Sequence, residues 1–433
     1  MKEIILSDFE NEVLSSDLVV LDFYSTECPP CDALAPKYES IANIFGDKVK
    51  FLKIYRQGNR QLAEKLNVKS SPTVLFFKNG QVIGRLSGTI KKSELIQYLG
   101  KLLPESLIKE RLNKIRPTES FYDVIILGGG PAGLTAALYL CQAKVKTVIV
   151  DTKLPGGNVS LTHMVSNYPG FVDPINGYLL AHNMTEQTRN CGVDFKVAVD
   201  VNKIDLINKK VVVDEKEIII GNKIIIAMGS SPRLLNIPGE IEYKGNGISY
   251  CATCDAKYYE DKDVIVVGGG NSAIEEALFI ANYARSITVV HQFKELQANR
   301  IAQEKALTND KFIFYFEYEP RKIEKVNGKM IMTIENLKSK DYRKLETDGI
   351  FIFIGLKPNT DEFKNILNLD EFGYIVVDHD MKTNLKDVYA VGDIISKKYR
   401  QITTAIADGT IAAMAITHDF IKNSYIKAYA ENN

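Results

Sequence analysis

The chain has 433 residues, 45% of them hydrophobic and 25% charged, with 54 basic and 54 acidic side chains. At roughly 100–200 residues per domain, this length predicts two to four domains. Zero net charge offers no field to nucleic acid or an acidic membrane surface. Acids stand in MKEIILSDFENEV where a secretory leader would be basic and then apolar. No apolar run reaches the roughly 18 residues of a membrane span, so the expected setting is the cytosol, with neither nucleic acid nor membrane as partner.

The first segment runs from 1 to 104. DLVVLDFY (17–24) is an apolar run suited to a buried strand. STECPPCDALAPKYESIANIF follows, with Cys28 ending a loop and Cys31 in the first turn of a helix reaching about Phe45. A helix N-terminus stabilises a thiolate through its unpaired N–H groups. Cys28 is therefore expected to be an exposed, low-pKa nucleophile and Cys31 the resolving thiol. VKFLKIY (49–55) predicts a strand and GNRQLAEKLNV (58–68) a helix. SSPTVLFFKNGQVIGRL (70–86) predicts two strands about an Asn-Gly turn, and KKSELIQYLGKLL an amphipathic helix. PESLIKERLNKIRPTES (104–120) is polar and bounded by prolines. Residues 105–119 read as a tether, semi-rigid at most, whose middle suits a short helix.

A second segment follows. YDVIILGGGPAGLTAALYLCQAKVKTVIVD (122–151) is a complete β-α-β unit: Gly128, Gly130 and Gly133 make the turn, and Asp151 ends the second strand. Glycines there permit the tight turn, the approach of a pyrophosphate and the packing of the helix, while the terminal acid holds ribose hydroxyls. The pattern recurs in KDVIVVGGGNSAIEEALFIANYARSITVV (262–290), with Gly268, Gly270 and Ala273. Two such units imply two nucleotides. A strand leading into Gly392-Asp393 near the C-terminus completes the first unit, so the second unit reads as inserted. Residues 120–237 and 350–425 are expected to form one nucleotide domain and 238–349 the other. The predicted class is α/β: a small N-terminal fold, then two Rossmann-like three-layer dinucleotide-binding domains, the second inside the first.

Six cysteines are present, four of them in the pairs Cys28/Cys31 and Cys251/Cys254. In a reducing compartment such pairs indicate redox or metal chemistry. Zinc wants four ligands, and none of the five histidines lies at ligand spacing from either pair, so no metal is expected. Cys141 and Cys191 have no partner spacing, and Cys141 reads as a small buried hydrophobe.

Alternating strands and helices with C-x-x-C after the first buried strand suggest a thioredoxin fold, and residues 1–104 resemble thioredoxin throughout. The resemblance implies a cis Pro72 facing the dithiol. It implies that Asp22 is the buried acid assisting proton transfer from Cys31, with Lys53 nearby. Glu27 replaces the family's usual Trp, and Pro29-Pro30 its Gly-Pro. An acid beside Cys28 raises its thiol pKa, which bears on potential and partner range.

Residues 120–425 resemble the low-molecular-weight thioredoxin reductases. The resemblance is carried by GGGPAG, Pro-Gly-Gly at 155–157, SNYPGF (166–171), CATCD, GGGNSAIEEAL, GLKPN (355–359), VGD and YRQITTA. It implies an FAD held by Gly128, Gly130, Pro131, Ala132, Gly133 and Asp151, by Gly157, Asn158 and Asn167, and by Gly392, Asp393, Arg400, Gln401 and Ile402. It implies a nicotinamide nucleotide at Gly268, Gly270, Asn271, Ser272, Ala273, Glu275, His291 and Gln292. Hydride then passes to FAD and two electrons to Cys251–Cys254, with Cys254 nearest the flavin and Asp255 exchanging the proton. Asp255 also reads as a helix N-cap. The dithiol next reduces Cys28–Cys31, and from there thioredoxin or peroxiredoxin disulfides. A rotating nicotinamide domain and a homodimer belong to the same resemblance.

The donor site departs from that family. Its His-Arg-Arg with a further Arg, which binds the 2′-phosphate of NADPH, is here His291, Gln292, Phe293 and Gln297. Each lost charged hydrogen bond is worth about 1.5–3 kcal/mol, which favours NADH over NADPH; Lys294 and Arg300 compensate in part. The stretch 293–298 also resembles the flavoprotein subunit of alkyl hydroperoxide reductase, an NADH enzyme that feeds a peroxiredoxin. A ferredoxin-fed relative is a further alternative.

Overall fold

The computed structural model describes residues 1–162, 164–165 and 167–431, with residues 423–431 as backbone only. Ser166 of SNYPGF lies outside the described residues.

The N-terminal unit is a five-stranded mixed sheet in the order Lys2–Ile4, Lys50–Tyr55, Leu18–Tyr24, Thr73–Lys78, Gln81–Ser87. Apolar runs place Leu18–Tyr24 at its centre, where residues 19–23 are all buried. The Asn-Gly signal becomes a tight hairpin, with Asn79 at φ 50° and Gly80 at φ 74°. That twist suits paired strands and favours these two residue types.

The short helix expected within 105–119 forms, but it is docked rather than part of a free tether. Residues Glu105–Lys114 form a helix. Its Ile108 is buried in the thioredoxin-fold core beside Leu99, Leu102 and Leu103, and Arg111 makes a two-pronged ion pair with Asp47. Burying one such apolar side chain contributes about 1.5–3 kcal/mol, enough to dock a polar-looking helix. Free chain shrinks to residues 115–117, because the next strand begins at Thr118.

Strands Asp194–Val197, Thr147–Asp151, Thr118–Leu127, Glu217–Ile226, Lys210–Val213 and Val201–Asp205 form the second sheet, which Val388–Ala390 joins by pairing parallel to Ile224–Ile226. The late strand closes the domain around an insertion, as the sequence implies. The inserted domain has a parallel sheet of Ile248–Ser249, Gly349–Ile352, Asp263–Val267, Ser286–His291 and Phe312–Phe316. Strands Tyr318–Val326, Lys329–Asn336 and Tyr342–Thr347 form an antiparallel sheet that shares a core with one face of it, and helices cover the other face. The expected boundary at 350 is corrected too: Gly349–Ile352 is hydrogen-bonded between inserted strands, so the chain leaves that domain after Ile352. Among the described residues, no helix is long and apolar enough to cross a membrane.

Candidate active site

Cys28 caps the helix Pro29–Phe45, and Pro29 fits the first helical position because its missing N–H is not needed there. Cys28 and Cys31 are joined as a disulfide, and the Cys31 N–H points at Cys28 Sγ, 3.3 Å away. The Ser71–Pro72 peptide is cis, as the resemblance implies, and the Ser71 carbonyl lies 3.6 Å from Cys28 Sγ. The expected exposure of Cys28 is not found. It is 8% exposed and Cys31 7%, because the sulfur packs toward the 71–72 turn. Asp22 is buried and pairs in register with Lys53. Burial pushes its carboxyl up to about 7 against the pull of Lys53, and Oδ1 has no hydrogen-bond partner.

Cys251 caps the short helix Ala252–Asp255. Cys251–Cys254 is also a disulfide, and the Cys254 N–H points at Cys251 Sγ, 3.2 Å away. Asp255 makes no capping bond to the next turn. Its carboxylate instead accepts the Ser249 hydroxyl at 2.6 Å, and Ser249 Oγ also accepts the Cys251 N–H at 3.1 Å. Ser249 was not singled out from sequence, although it stands two residues before the dithiol. Cys251 Sγ lies 3.8 Å from the Leu161 carbonyl, so this dithiol meets the short helix Gly157–Leu161 of the other nucleotide domain.

The first glycine turn is tightly built. Gly128 has φ 107°, and a Cβ there would stand 2.4 Å from the Ala227 carbonyl oxygen. Gly130 caps the helix Pro131–Gln142, which places Ala132 and Gly133 in its first turn. Asp151 accepts the Gly129 N–H at 2.7 Å and the Lys153 N–H at 2.8 Å, and burial raises its pKa. A Cβ on Gly157 would reach 3.0 Å from Gly130 Cα. Asn158 donates to the Ser230 carbonyl, and Asn167 to Gln401 Oε1 at 3.2 Å. Gly392 packs against Ala132, and Ile402 begins the long C-terminal helix. The fold thus places Asp151, Gly157 and Gly392 against this glycine turn.

At the second turn, Gly268 has φ 127° and Gly270 caps the helix Asn271–Ile280, whose first turn holds Ser272 and Ala273. Asn299 ties this end together: its N–H donates to Asn271 Oδ1 and its side-chain amide to Glu275 Oε1. His291 is buried, its ring packed below Gly269 and its Nε2 3.1 Å from the Glu295 carbonyl. Desolvation pushes its pKa down. Gln292 is exposed.

The thioredoxin unit rests on the FAD-side domain. Lys37 of the Cys28 helix is buried and donates to the carbonyls of Val197 and Ala198 at 2.9 and 2.7 Å. The Ser93 N–H donates to Asp200 at 3.2 Å, and Lys91 pairs with Asp200 at 3.6 Å. Between the units lies a cavity of about 360 Å³, lined by Pro29, Asp32 and Pro36 on one side and Pro155, Ser160 and Tyr178 on the other.

Residues 122–409 match the family model described as pyridine nucleotide-disulphide oxidoreductase, and residues 1–101 match the model described as thioredoxin. The chain belongs to the pyridine nucleotide-disulphide oxidoreductase family. It is 45% identical over 305 residues to a thioredoxin reductase of Peptoclostridium acidaminophilum, covering 68% of this chain and 96% of that one. A Bacillus subtilis thioredoxin reductase is 38% identical over 301 residues, covering 69% and 95%. The crystal structure of Lactococcus lactis thioredoxin reductase in its FR conformation aligns with a TM-score of 0.66 at 36% identity, covering 70% and 99%. The oxidoreductase region therefore accounts for nearly the full length of these relatives, and the thioredoxin domain with its own dithiol is added in front.

The family implies FAD and a nicotinamide cofactor, and the residues fit both. Asp393 Oδ1 and Arg400 Nε are buried without hydrogen-bond partners. Lys397 Nζ, the ion-pair partner of Asp393, stays 3.7 Å away. Burial raises the Asp393 carboxyl. Orphaned groups of this kind at a glycine turn are what a hydroxyl- and phosphate-rich ligand satisfies. At the second turn, a Cβ on Gly270 would meet no atom within 4 Å, which leaves the helix N-terminus open to phosphate.

Proposed function

We propose that this chain is an NADH-dependent thioredoxin reductase that serves its own thioredoxin domain, carrying electrons from Cys251/Cys254 to Cys28/Cys31 and on to other protein disulfides. The observation that carries this reading is the short helix Gly157–Leu161. Cys251 Sγ lies 3.8 Å from its Leu161 carbonyl, and its Ser160 shares a cavity with Pro29, the neighbour of Cys28.

FAD, which the Gly128–Gly133 turn, Asp393 and Arg400 would hold, would supply the electron pair for opening Cys251–Cys254. Asp255, fixed by Ser249, exchanges a proton with that dithiol. A thiolate of the pair attacks Cys28–Cys31: the Cys28–Cys31 bond breaks and an interchange disulfide forms. The second cysteine of the attacking pair displaces it, leaving Cys251–Cys254 oxidised and Cys28/Cys31 as two thiols. Asp22, titrating near 7, exchanges the proton of Cys31. Release of the Lys37 dock then presents Cys28 to other proteins.

NADH is favoured by the end of strand Ser286–His291. His291 is buried with a lowered pKa and is therefore neutral at pH 7, and Gln292 and Phe293 bring no charge. A 2′-phosphate needs cations, whereas a ribose hydroxyl does not, so the missing charges weigh against NADPH. The cytosol, expected from the acidic N-terminal stretch and the lack of a membrane-length apolar run, and a homodimer, resting on the family resemblance, complete the proposal.

The deciding experiment follows flavin absorbance anaerobically with NADH, NADPH and reduced ferredoxin in turn. NADH is expected to bleach the flavin fastest. Faster bleaching by NADPH overturns the nucleotide choice, and bleaching by ferredoxin alone overturns the nicotinamide reading. Turnover with peroxiredoxin and peroxide, but not with free thioredoxin, would replace the proposal with a peroxiredoxin reductase.

A further inference from the structure

The fold brings together two cysteines that belong to neither C-x-x-C pair. Cys141 lies in the last turn of the helix Pro131–Gln142, and Cys191 ends the helix Gly177–Cys191. The Cys141 thiol donates to the Cys191 carbonyl at 2.7 Å. Cys191 Sγ lies 4.0 Å from the Leu138 carbonyl, one turn back on the Cys141 helix. Each sulfur therefore sits against the backbone of the other helix, which brings the two thiols side by side. Both are free and half-buried, which admits a small oxidant.

We infer that Cys141 and Cys191 form a third redox pair, a site at which a hydroperoxide makes a disulfide across two helices of the FAD-side domain. The Cys191 sulfur attacks the peroxide: an S–O bond forms, the O–O bond breaks, and water or an alcohol leaves. Cys191 is then a sulfenic acid. The Cys141 sulfur attacks it, forming S–S and breaking S–O, and the Cys141 proton leaves with the hydroxide as water. Two electrons have moved from the dithiol to the peroxide. The order follows from the geometry, because the Cys141 proton is held by the Cys191 carbonyl. Burial and contact with Cys191 also push that thiol up to about 11.

The product would brace a surface the thioredoxin domain uses. Tyr178, His182 and Thr185 of the Cys191 helix line the cavity between the two units. Oxidation of the pair ties that helix to the one that starts at the Gly128–Gly133 turn.

The test uses the full-length holoprotein. It is isolated with both C-x-x-C pairs oxidised and two free thiols, treated with hydrogen peroxide, alkylated, digested without reductant and analysed by mass spectrometry. Both free thiols are expected to disappear, and a peptide linking Cys141 to Cys191 to appear, within one chain. In Cys141→Ser, the sulfenic-acid trap dimedone is expected to label Cys191. Persistence of both thiols, oxidation of a single cysteine without the link, or a link between chains would overturn the inference. The wild-type measurement decides the matter even if the variant fails to fold.

Discussion

The two C-x-x-C dithiols share a local design and differ in everything around it. In each, the first cysteine caps a helix and receives the N–H of the second, at 3.3 Å in one and 3.2 Å in the other. The helix behind Cys28 has 17 residues, whereas that behind Cys251 has 4. Cys28 and Cys31 are buried, while Cys251 is half-buried and Cys254 exposed. The acid that the thioredoxin resemblance assigns to Cys28/Cys31 is a strand residue, Asp22, with an orphaned oxygen. The acid near Cys251/Cys254 follows directly in sequence and is held by a serine. Capping alone therefore gives no direction to electron flow. The longer aligned helix stabilises a Cys28 thiolate more strongly, and a better-stabilised thiolate leaves faster in exchange. That bias runs from Cys251/Cys254 toward Cys28/Cys31.

The largest expected effect removes the upstream pair. Cys251→Ser should abolish NADH-driven reduction of both the attached domain and added thioredoxin, with FAD still bound. An insulin-reduction assay and a flavin spectrum check this together. Next comes Cys28→Ser. Direct insulin reduction by the chain should fall to background, while added thioredoxin is still reduced. If insulin is still reduced, the downstream position of Cys28/Cys31 is wrong.

Asp22→Asn is a smaller change that separates the two acids. An unfolded aspartate titrates near 3.9, and the folded Asp22 near 7. The folded state thus holds the extra proton between those values. Asp22 costs nothing below about pH 4, its cost grows as pH rises, and the cost is complete above 7. At about 1.4 kcal/mol per unit, Asp22→Asn should stabilise the thioredoxin unit by about 4 kcal/mol at pH 8 and leave it unchanged at pH 4, read from urea midpoints. Disulfide reduction should slow on the order of 10- to 100-fold, with its pH dependence near 7 flattened.

The parts of this site legible in the sequence are those written locally. A glycine turn between a strand and a helix, or two cysteines three apart, specifies its own geometry, and Gly128, Gly130, Gly268 and both dithiols stand where the motifs imply. What was missed depends on contacts between distant residues. Lys37 looks like an ordinary surface lysine until residues 197–198 come over it, and Asn299 acquires its role only when Asn271 and Glu275 arrive. Cys141 and Cys191 meet because two helix ends cross, which no spacing encodes. The helix Glu105–Lys114 is a different case, expected as a helix but not as a docked one. Leu107, Ile108 and Leu112 form an apolar stripe, but the surrounding charge made the segment read as solvent-facing tether.

Lys37→Met is the smallest predicted effect and the one aimed at the dock itself. The substitution keeps the apolar stem but removes the ammonium that donates to Val197 and Ala198, leaving two carbonyls unpaired. With only residues 115–117 free between the units, the thioredoxin domain still stays at about millimolar effective concentration. Electron delivery to Cys28/Cys31 should therefore slow only several-fold, while reduction of added thioredoxin is unchanged or faster. Docking also has a pH signature. Burial pushes Lys37 down to about 8 from 10.5, with Asp214 and Asp200 opposing and Lys91 assisting. The docked state thus disfavours the charged form, so docking should tighten as pH rises from about 8 toward 10.5, and below 8 the penalty is constant. Stopped-flow reduction of the attached domain at pH 7 and 9 should show this rise in the wild type and lose it in Lys37→Met. An unchanged pH response in the variant would assign the dock to Lys91, Ser93 and Asp200 instead.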